Sequence, residues 1–523
     1  MHSPNETNTA NKAASAPSAD INLGEVYSVT QSGVEKSPLG HNGQHHDVAY
    51  DMFEESLRMD PAERDVLAKR VLLKLDLIVL PMMCIVYFFS FLDKSTLNYA
   101  NAYGLTTDLG LKGNQYSWIA SITNFGYLFG AYPMSIGLQK FSIGRFIGSS
   151  VAVWGIVLSL TTLAKTFAGM MALRFVLGCA EAGIGSAWML ITAMFWTKAE
   201  MPLRMSFWLG CNGLSQLIGA GISWGLGHTH NPHITPWQLI FMVVGLGSFV
   251  AGIVCFVFMP SSPKQALFFS HEEAIVAVWR VRSNRTGIKH HTILWYQVRE
   301  AVCDPKIYLS VVCGLSLGLI NGAVSNFLTT LLKSFGYGAL KSVLYQMPGG
   351  AFQFITIISG GWITTHVPNT LVLVTALAYV PGLGGLIGIL TIPLSKPLHL
   401  AACAWMLPIT GLAIILTWTI VAANFAGHTK RTFANGAQFT AYAAGNIISP
   451  FFFFPSEAPR YPTAIRALCA IYGVGIFSTI LLGIYMWRQN VRRATLPISE
   501  ELVNEAGFAD YTDYENKGFQ YKI

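Results

Sequence analysis

Hydrophobic and polar positions along this chain fall into long blocks rather than short alternations. From about Leu75 onward, apolar runs recur that are each about 20 residues long, the length that crosses a bilayer core at ~1.5 Å of rise per residue. They predict twelve membrane helices, at about 75–103, 115–138, 144–163, 167–196, 205–226 and 237–259, then 307–332, 340–365, 370–392, 398–423, 432–454 and 463–487. The eighth and ninth runs carry Pro348, Gly349, Gly350, Gly360, Gly361, Pro381 and Gly382, breakers that are tolerated in lipid because neighbouring helices satisfy the freed backbone groups. One long interior interruption, 261–306, divides the helices six and six.

The pattern gives five expected regions. Residues 1–59 are rich in Ser, Asn, Gly and His without apolar periodicity, and are expected to be a disordered tail. Residues 60–259 form a first six-helix half, 260–306 a central loop, 307–488 a second half and 489–523 a C-terminal tail. Within the first half, the stretch PAERDVLAKRVLLK (61–74) reads as a charged amphipathic helix leading into the membrane, with Pro61 and acidic residues in its first turn. A cleaved signal peptide is not expected, because the first apolar run lies far behind a polar leader.

Composition strengthens the membrane assignment: of 523 residues, 52% are hydrophobic and only 12% charged, whereas soluble domains carry about 25% charged residues. The net charge of +7 does not point to nucleic acid, since the basic residues sit singly in short loops rather than in a stripe. In the central loop they are Lys264, Arg280, Arg282, Arg285, Lys289, Arg299 and Lys306. Lys140, Arg145, Lys198, Arg204, Lys430 and Arg431 fall on the same side. By the positive-inside rule that side is cytoplasmic, and an even helix count places both termini there. The alternation is imperfect, with Lys112, Lys165, Lys333, Lys341, Lys396, Arg460 and Arg466 left on the other side.

The 8 cysteines are scattered and form no CxxC or Cys/His cluster, so they read as packing residues without metal or disulfide. His228, His230 and His233 have an H-x-H-x-x-H spacing but no acidic partner, and no metal site is expected there. No phosphate loop is present, so any pumping would run on an ion gradient without a cofactor.

A charge in the bilayer core costs roughly 2.5–3.5 kcal/mol on insertion scales and needs a reason. Four stand out: Asp93 and Lys94 in the first run, and Arg174 and Glu181 in the fourth. Arg174 and Glu181 are about 700° of helical rotation apart and share a face; Asp93 and Lys94 are about 100° apart and must point at different neighbours. Asp93 and Glu181 are candidate proton-coupling acids, since a buried carboxyl gains or loses a proton as its surroundings change. Lys94 and Arg174 are candidate contacts for a substrate carboxylate, though mutual neutralisation as buried pairs would also explain the four. Asp76 and Lys74 read as interface residues.

In the eleventh run Asn435, Gln438, Tyr442 and Asn446 follow at spacings of 3, 4 and 4, one helix face that either lines a cavity or ties helices together. Asn212 with Gln216, and Asn321 with Asn326, are further polar candidates.

The run FLDKSTLNYANAYGLTTDLGLKGNQYSWIASITNFGYLFGAYP (Phe91 to Pro133) resembles the fungal allantoate permease family, anion:cation symporters of the major facilitator superfamily. RFVLGCAEAG (Arg174 to Gly183), NFAGHTKRTFANGAQFTAYAAGNIISP (Asn424 to Pro450) and FADYTDYENKGFQY (Phe508 to Tyr521) resemble the same family, so the likeness extends through loops and tail. It implies an all-α membrane protein with the major facilitator fold, twelve transmembrane helices in two halves and a central cavity lined by the first and fourth helices. It also implies proton coupling at Asp93 and Glu181 and substrate contact at Lys94. Lys94 stands where the wider superfamily has Arg, keeping the charge but losing the bidentate fork. Leu138 to Phe146 keeps the Gly144-Arg145 of the superfamily's gating loop, with Gln139 near the expected Asp.

The expectation is therefore a monomeric, multi-pass plasma-membrane carrier, not an enzyme. It would take up a small carboxylate together with protons and bind no nucleic acid. A metabolite exporter on the same fold is the alternative; a non-transporting nutrient sensor is disfavoured by the presence of both acids and a short tail.

Overall fold

In the computed structural model, residues 55–56, 58–197, 200–229, 233–281, 294–495 and 511–523 are described. The expected N-terminal tail lies almost wholly outside them, as do His230 and residues 282–293 of the central loop. Twelve helical spans, α1–α12, follow the sequence blocks closely. They are α1 (Leu80–Ala102), α2 (Gln115–Lys140), α3 (Ile143–Leu160), α4 (Phe167–Glu181 continued by Ile184–Phe195), α5 (Met201–Leu226) and α6 (Pro236–Phe258), then α7 (Pro305–Ser334), α8 (Met347–His366), α9 (Leu371–Thr391), α10 (Pro397–Trp405 continued by Gly411–Asn424), α11 (His428–Ile448) and α12 (Pro462–Ala494). The amphipathic helix Pro61–Lys74 runs into α1 through a π-helical turn, Leu75–Val79. No strand occurs among the described residues.

The two halves repeat one packing scheme. In the first, α1 packs on α5, α2 on α4 and α3 on α6; in the second, α7 packs on α11, α8 on α10 and α9 on α12. Eight of the spans are long and apolar enough to cross a membrane by length and composition, and the exceptions are α2, α5, α8 and α11. Those more polar helices pair across the halves, α5 on α8 and α2 on α11. Their polar positions therefore meet protein or an internal space, which is the only tolerable place for them at membrane depth.

The halves are joined at the face opposite the central loop. There the Ser117 and Ser121 hydroxyls donate to the Pro450 and Ile447 carbonyls at 3.0 and 2.7 Å, and Tyr116 donates to the Asn326 carbonyl at 3.0 Å. Two of the cations that break the charge alternation on that face cap helix ends. Lys333 donates to the Ala102 carbonyl at the end of α1, and Arg460 to the Leu390 and Ile392 carbonyls at the end of α9.

At the loop face each half carries its own collar. Helix His271–Arg280 docks on the first half through the Lys74–Glu273 and Arg280–Glu200 ion pairs, at 2.6 and 2.7 Å. Asp76 is held by Arg204 at 2.6 Å and by the Trp196 indole. Lys74 and Asp76, read from sequence as interface residues, are thus cross-links. Helix Trp295–Cys303 docks on the second half, where the Gln297 carbonyl oxygen accepts from the backbone of Thr429 and Lys430 at the start of α11.

Candidate transport site

Close helix packing builds the site. A Cβ at Gly178 would collide with the Thr123 carbonyl, and one at Gly126 or Gly130 with the backbone of Phe175 or Cys179. Small residues on both faces let α2 and α4 approach backbone to backbone. Gly178 lies between Arg174 and Glu181, so this approach fixes where both side chains emerge. α4 breaks directly after Glu181, at Ala182 and Gly183, and the Ser150 hydroxyl takes up the Ala180 carbonyl at 2.7 Å.

The four intramembrane charges meet as two crossed pairs. Lys94 Nζ lies 2.9 Å from Glu181 Oε1, and Arg174 lies 3.5 Å from Asp93 Oδ1. Adjacent residues of α1 thus diverge to partners two turns apart on α4, as their 100° offset requires. Ser90 donates to Glu181 Oε1, and the Trp154 indole donates to Asp93 Oδ2 at 3.0 Å. The Arg174 guanidinium lies 5.1 Å from the Phe241 ring, and Lys94 Nζ lies 6.0 Å from the Tyr127 ring. The hydroxyls of Tyr87, Tyr127 and Tyr442 are within electrostatic reach of Lys94 and Glu181.

The pairs differ in access. The Lys94 side chain is 38% exposed, against 3%, 2% and 0% for Glu181, Arg174 and Asp93. Several buried polar atoms have no hydrogen-bond partner: Glu181 Oε2, Asp93 Oδ1, and Nε and one terminal nitrogen of Arg174. Buried polar atoms are normally satisfied, so three of the four charged residues, Glu181, Asp93 and Arg174, keep hydrogen-bonding capacity that neighbouring protein groups do not fill.

The α11 stripe is divided between two duties. Cβ atoms at Gly314 and Gly318 of α7 would strike the Gln438 and Tyr442 backbone, so the stripe backs onto α7. The Asn446 carboxamide accepts from Asn321 at 2.8 Å, an interhelical bond. Tyr442 packs edge-on against Trp418 at 5.7 Å and is the member that reaches the charges. Gln438 is buried with its Nε2 unpartnered, while Asn435 is exposed and makes no contact with the four charges.

Between the halves lies a cleft of about 420 Å³, open solvent included, whose polar lining includes Ser95, Gln216, Asn321, Gln346, Gln353 and Thr410 but none of the four charges. Gln216 and Asn321 were legible as candidates. Gln346 and Gln353 were missed, although their spacing of seven, like that of Arg174 and Glu181, marks a shared face. Ser90, one turn before Lys94, gave the same kind of signal; Trp154, on a different helix, gave none.

The turn between α2 and α3 is held by neutral bonds, Ser142 Oγ to Ser261 Oγ at 2.6 Å and the Gly144 N–H to Ser261 Oγ at 2.9 Å. Gln139 and Arg145 are exposed, and neither enters an ion pair among the described residues. No group of three or more His, Cys, Asp or Glu is arranged to hold a metal ion among the described residues.

Two six-helix halves around a central polar cleft define a membrane transporter fold, and the comparisons agree. Residues 83–450 match the family model of the Major Facilitator Superfamily. The chain is 34% identical to an uncharacterized transporter of Schizosaccharomyces pombe, over 87% of each chain. It is 29% identical to the allantoate permease of Saccharomyces cerevisiae, over 98% of this chain and 99% of that one. Among solved structures, the proton:xylose symporter XylE superposes with a TM-score of 0.56 at 12% identity, covering 78% of this chain and 94% of that one, a likeness of fold alone. The chain belongs to the major facilitator superfamily, among the relatives of the fungal allantoate permease.

Proposed function

We propose that this carrier takes up a small organic anion, a carboxylate, together with protons across the plasma membrane, with both termini in the cytoplasm. The observation that carries the reading is the Lys94–Glu181 pair: a buried acid holds the one cation of the cluster that the solvent reaches. A substrate carboxylate arriving at Lys94 competes with Glu181 for the ammonium. Freed from its partner in a low-dielectric setting, Glu181 would be an uncompensated buried charge, a state costing about 3–5 kcal/mol, unless it takes a proton. One anion and one proton together keep the net charge of the cluster constant, so entry of one favours entry of the other. Asp93, fixed by Arg174 and Trp154, is the second titratable acid of the same unit.

Gln438, Tyr442 and the cleft amides supply uncharged hydrogen-bonding groups for the rest of the substrate. The yeast relative's name, allantoate permease, supports a carboxylate cargo. The test is uptake of a panel of labelled carboxylates, allantoate included, at pH 5 and pH 7.5, with and without a protonophore. Accumulation of at least one member is expected to rise at pH 5 and collapse with the protonophore. Accumulation indifferent to both treatments would overturn the coupling.

A further inference from the structure

The last described segment, residues 511–523, lies on the loop face of the second half and completes a buried ionic cluster there. Lys306, at the start of α7, and Lys430, at the start of α11, both have fully buried side chains. Asp513 bridges them, with Oδ1 2.8 Å from Lys430 and Oδ2 in contact with Lys306. Asp304 lies 3.4 Å from Lys306 and 2.9 Å from Lys430, and Glu300 adds a partly exposed carboxylate on Lys430. Without Asp513, two buried ammonium groups would share one buried carboxylate. Burial alone would raise the Asp513 carboxyl, but the two lysines outweigh it and hold it below the ordinary carboxylate range.

The backbone of the segment is read as well. The Asn490 carboxamide, on α12, makes two bonds to the Tyr521 backbone at 2.8 and 2.9 Å. Asn424, closing α10, makes two to Lys522 at 2.9 and 2.7 Å. Arg493 donates to the Phe519 and Asp513 carbonyls, both at 2.6 Å, and the Leu371 N–H of α9 donates to Ile523 at 3.1 Å. Paired side-chain amides fix a peptide's register as a neighbouring strand would.

We infer that the loop face of the second half is a peptide-binding site whose ligand is the chain's own segment Tyr511–Ile523, a strap that fastens α7, α9, α10, α11 and α12 so that this half turns as one body. The strap stands on the geometry of the second half alone and does not depend on the identity of the substrate or on proton coupling. Its held state is a noncovalent complex that happens to be tethered through residues 496–510.

The test uses the folded full-length carrier with a protease site placed within 496–510 and cut after purification. The cut segment is expected to co-elute with the carrier on size exclusion and to be displaced by excess synthetic peptide of sequence 511–523. The same peptide carrying Asp513→Asn should compete about 100-fold more weakly or worse, the loss expected when one partner of a buried ion pair is removed. Because the competition uses peptides against the cleaved native carrier, no mutant chain has to fold. A cut segment that washes away in the first column pass, or an Asp513→Asn peptide as effective as the native one, would overturn the strap.

Discussion

The two buried clusters of this molecule have the same composition, two acids and two bases, and differ in how densely their charges are paired. In the second half, Asp304 and Asp513 each contact both Lys306 and Lys430, four ion pairs of which only Lys306–Asp304, at 3.4 Å, is long, with Tyr521 and Glu300 filling further positions. In the first half, Asp93, Lys94, Arg174 and Glu181 form two ion pairs, one of 2.9 Å and one of 3.5 Å, so that each charge has a single charged partner within 4 Å. A cross-linked network resists rearrangement, because each member lost leaves two opposite buried charges short of a partner. Where each charge has a single partner, an incoming charge has one contact to displace. In the proposed transport cycle, that difference separates a cluster that holds helices together from one that trades an acid for a substrate.

Glu181→Gln should lower gradient-driven accumulation about 100-fold or more while leaving counterflow exchange of substrate measurable, since it removes the proton site and not the cation. Concentrative uptake surviving that change would make Glu181 structural.

Asp513→Asn should act in the other direction, on stability rather than on coupling. It leaves a buried lysine pair under-compensated, a cost of about 3–5 kcal/mol that lowers the apparent Tm of the purified carrier by roughly 10 °C. The folded Asp513 carboxyl is depressed, so its contribution is fully present above the ordinary carboxylate range and is lost only as pH falls through the lower folded value. Thermal scans at pH 7.5 and pH 5 should therefore show the same Asp513-dependent stability, and a loss already at pH 5 would contradict the assignment.

The smallest effect belongs to Trp154→Phe, which keeps the ring and deletes the donor to Asp93. A hydrogen bond to a charged group contributes about 1.5 kcal/mol at the low end, so uptake should fall about tenfold. An unchanged rate would mean that Asp93 needs no positioning from α3.

The fold was legible because the apolar blocks and the single long loop encode it directly, and a bilayer core needing about 20 apolar residues per helix leaves little ambiguity in length. The polar helices α2, α5, α8 and α11 were legible as spans but not as the ones that meet between the halves, since that follows from which helices pair. Within the site, Arg174 and Glu181 were placed on one face by their spacing, and the divergence of Asp93 and Lys94 followed from helical geometry. Which base took which acid was not legible, because it depends on the α2–α4 approach at Gly178. The division of the α11 stripe, with Asn446 bonded to Asn321 and Asn435 exposed, likewise needed the neighbouring helices. The strap lay in a segment whose resemblance to relatives was visible, while its partners Lys306 and Lys430 looked like ordinary topology-setting cations.

The most direct test of the central claim is proton movement itself. The carrier is reconstituted in liposomes that enclose a pH-sensitive dye, and a transported carboxylate is added outside with no imposed proton gradient. The account predicts internal acidification that tracks substrate entry in the native carrier and is absent in Glu181→Gln. Substrate entry at the native rate with no change in internal pH would contradict it.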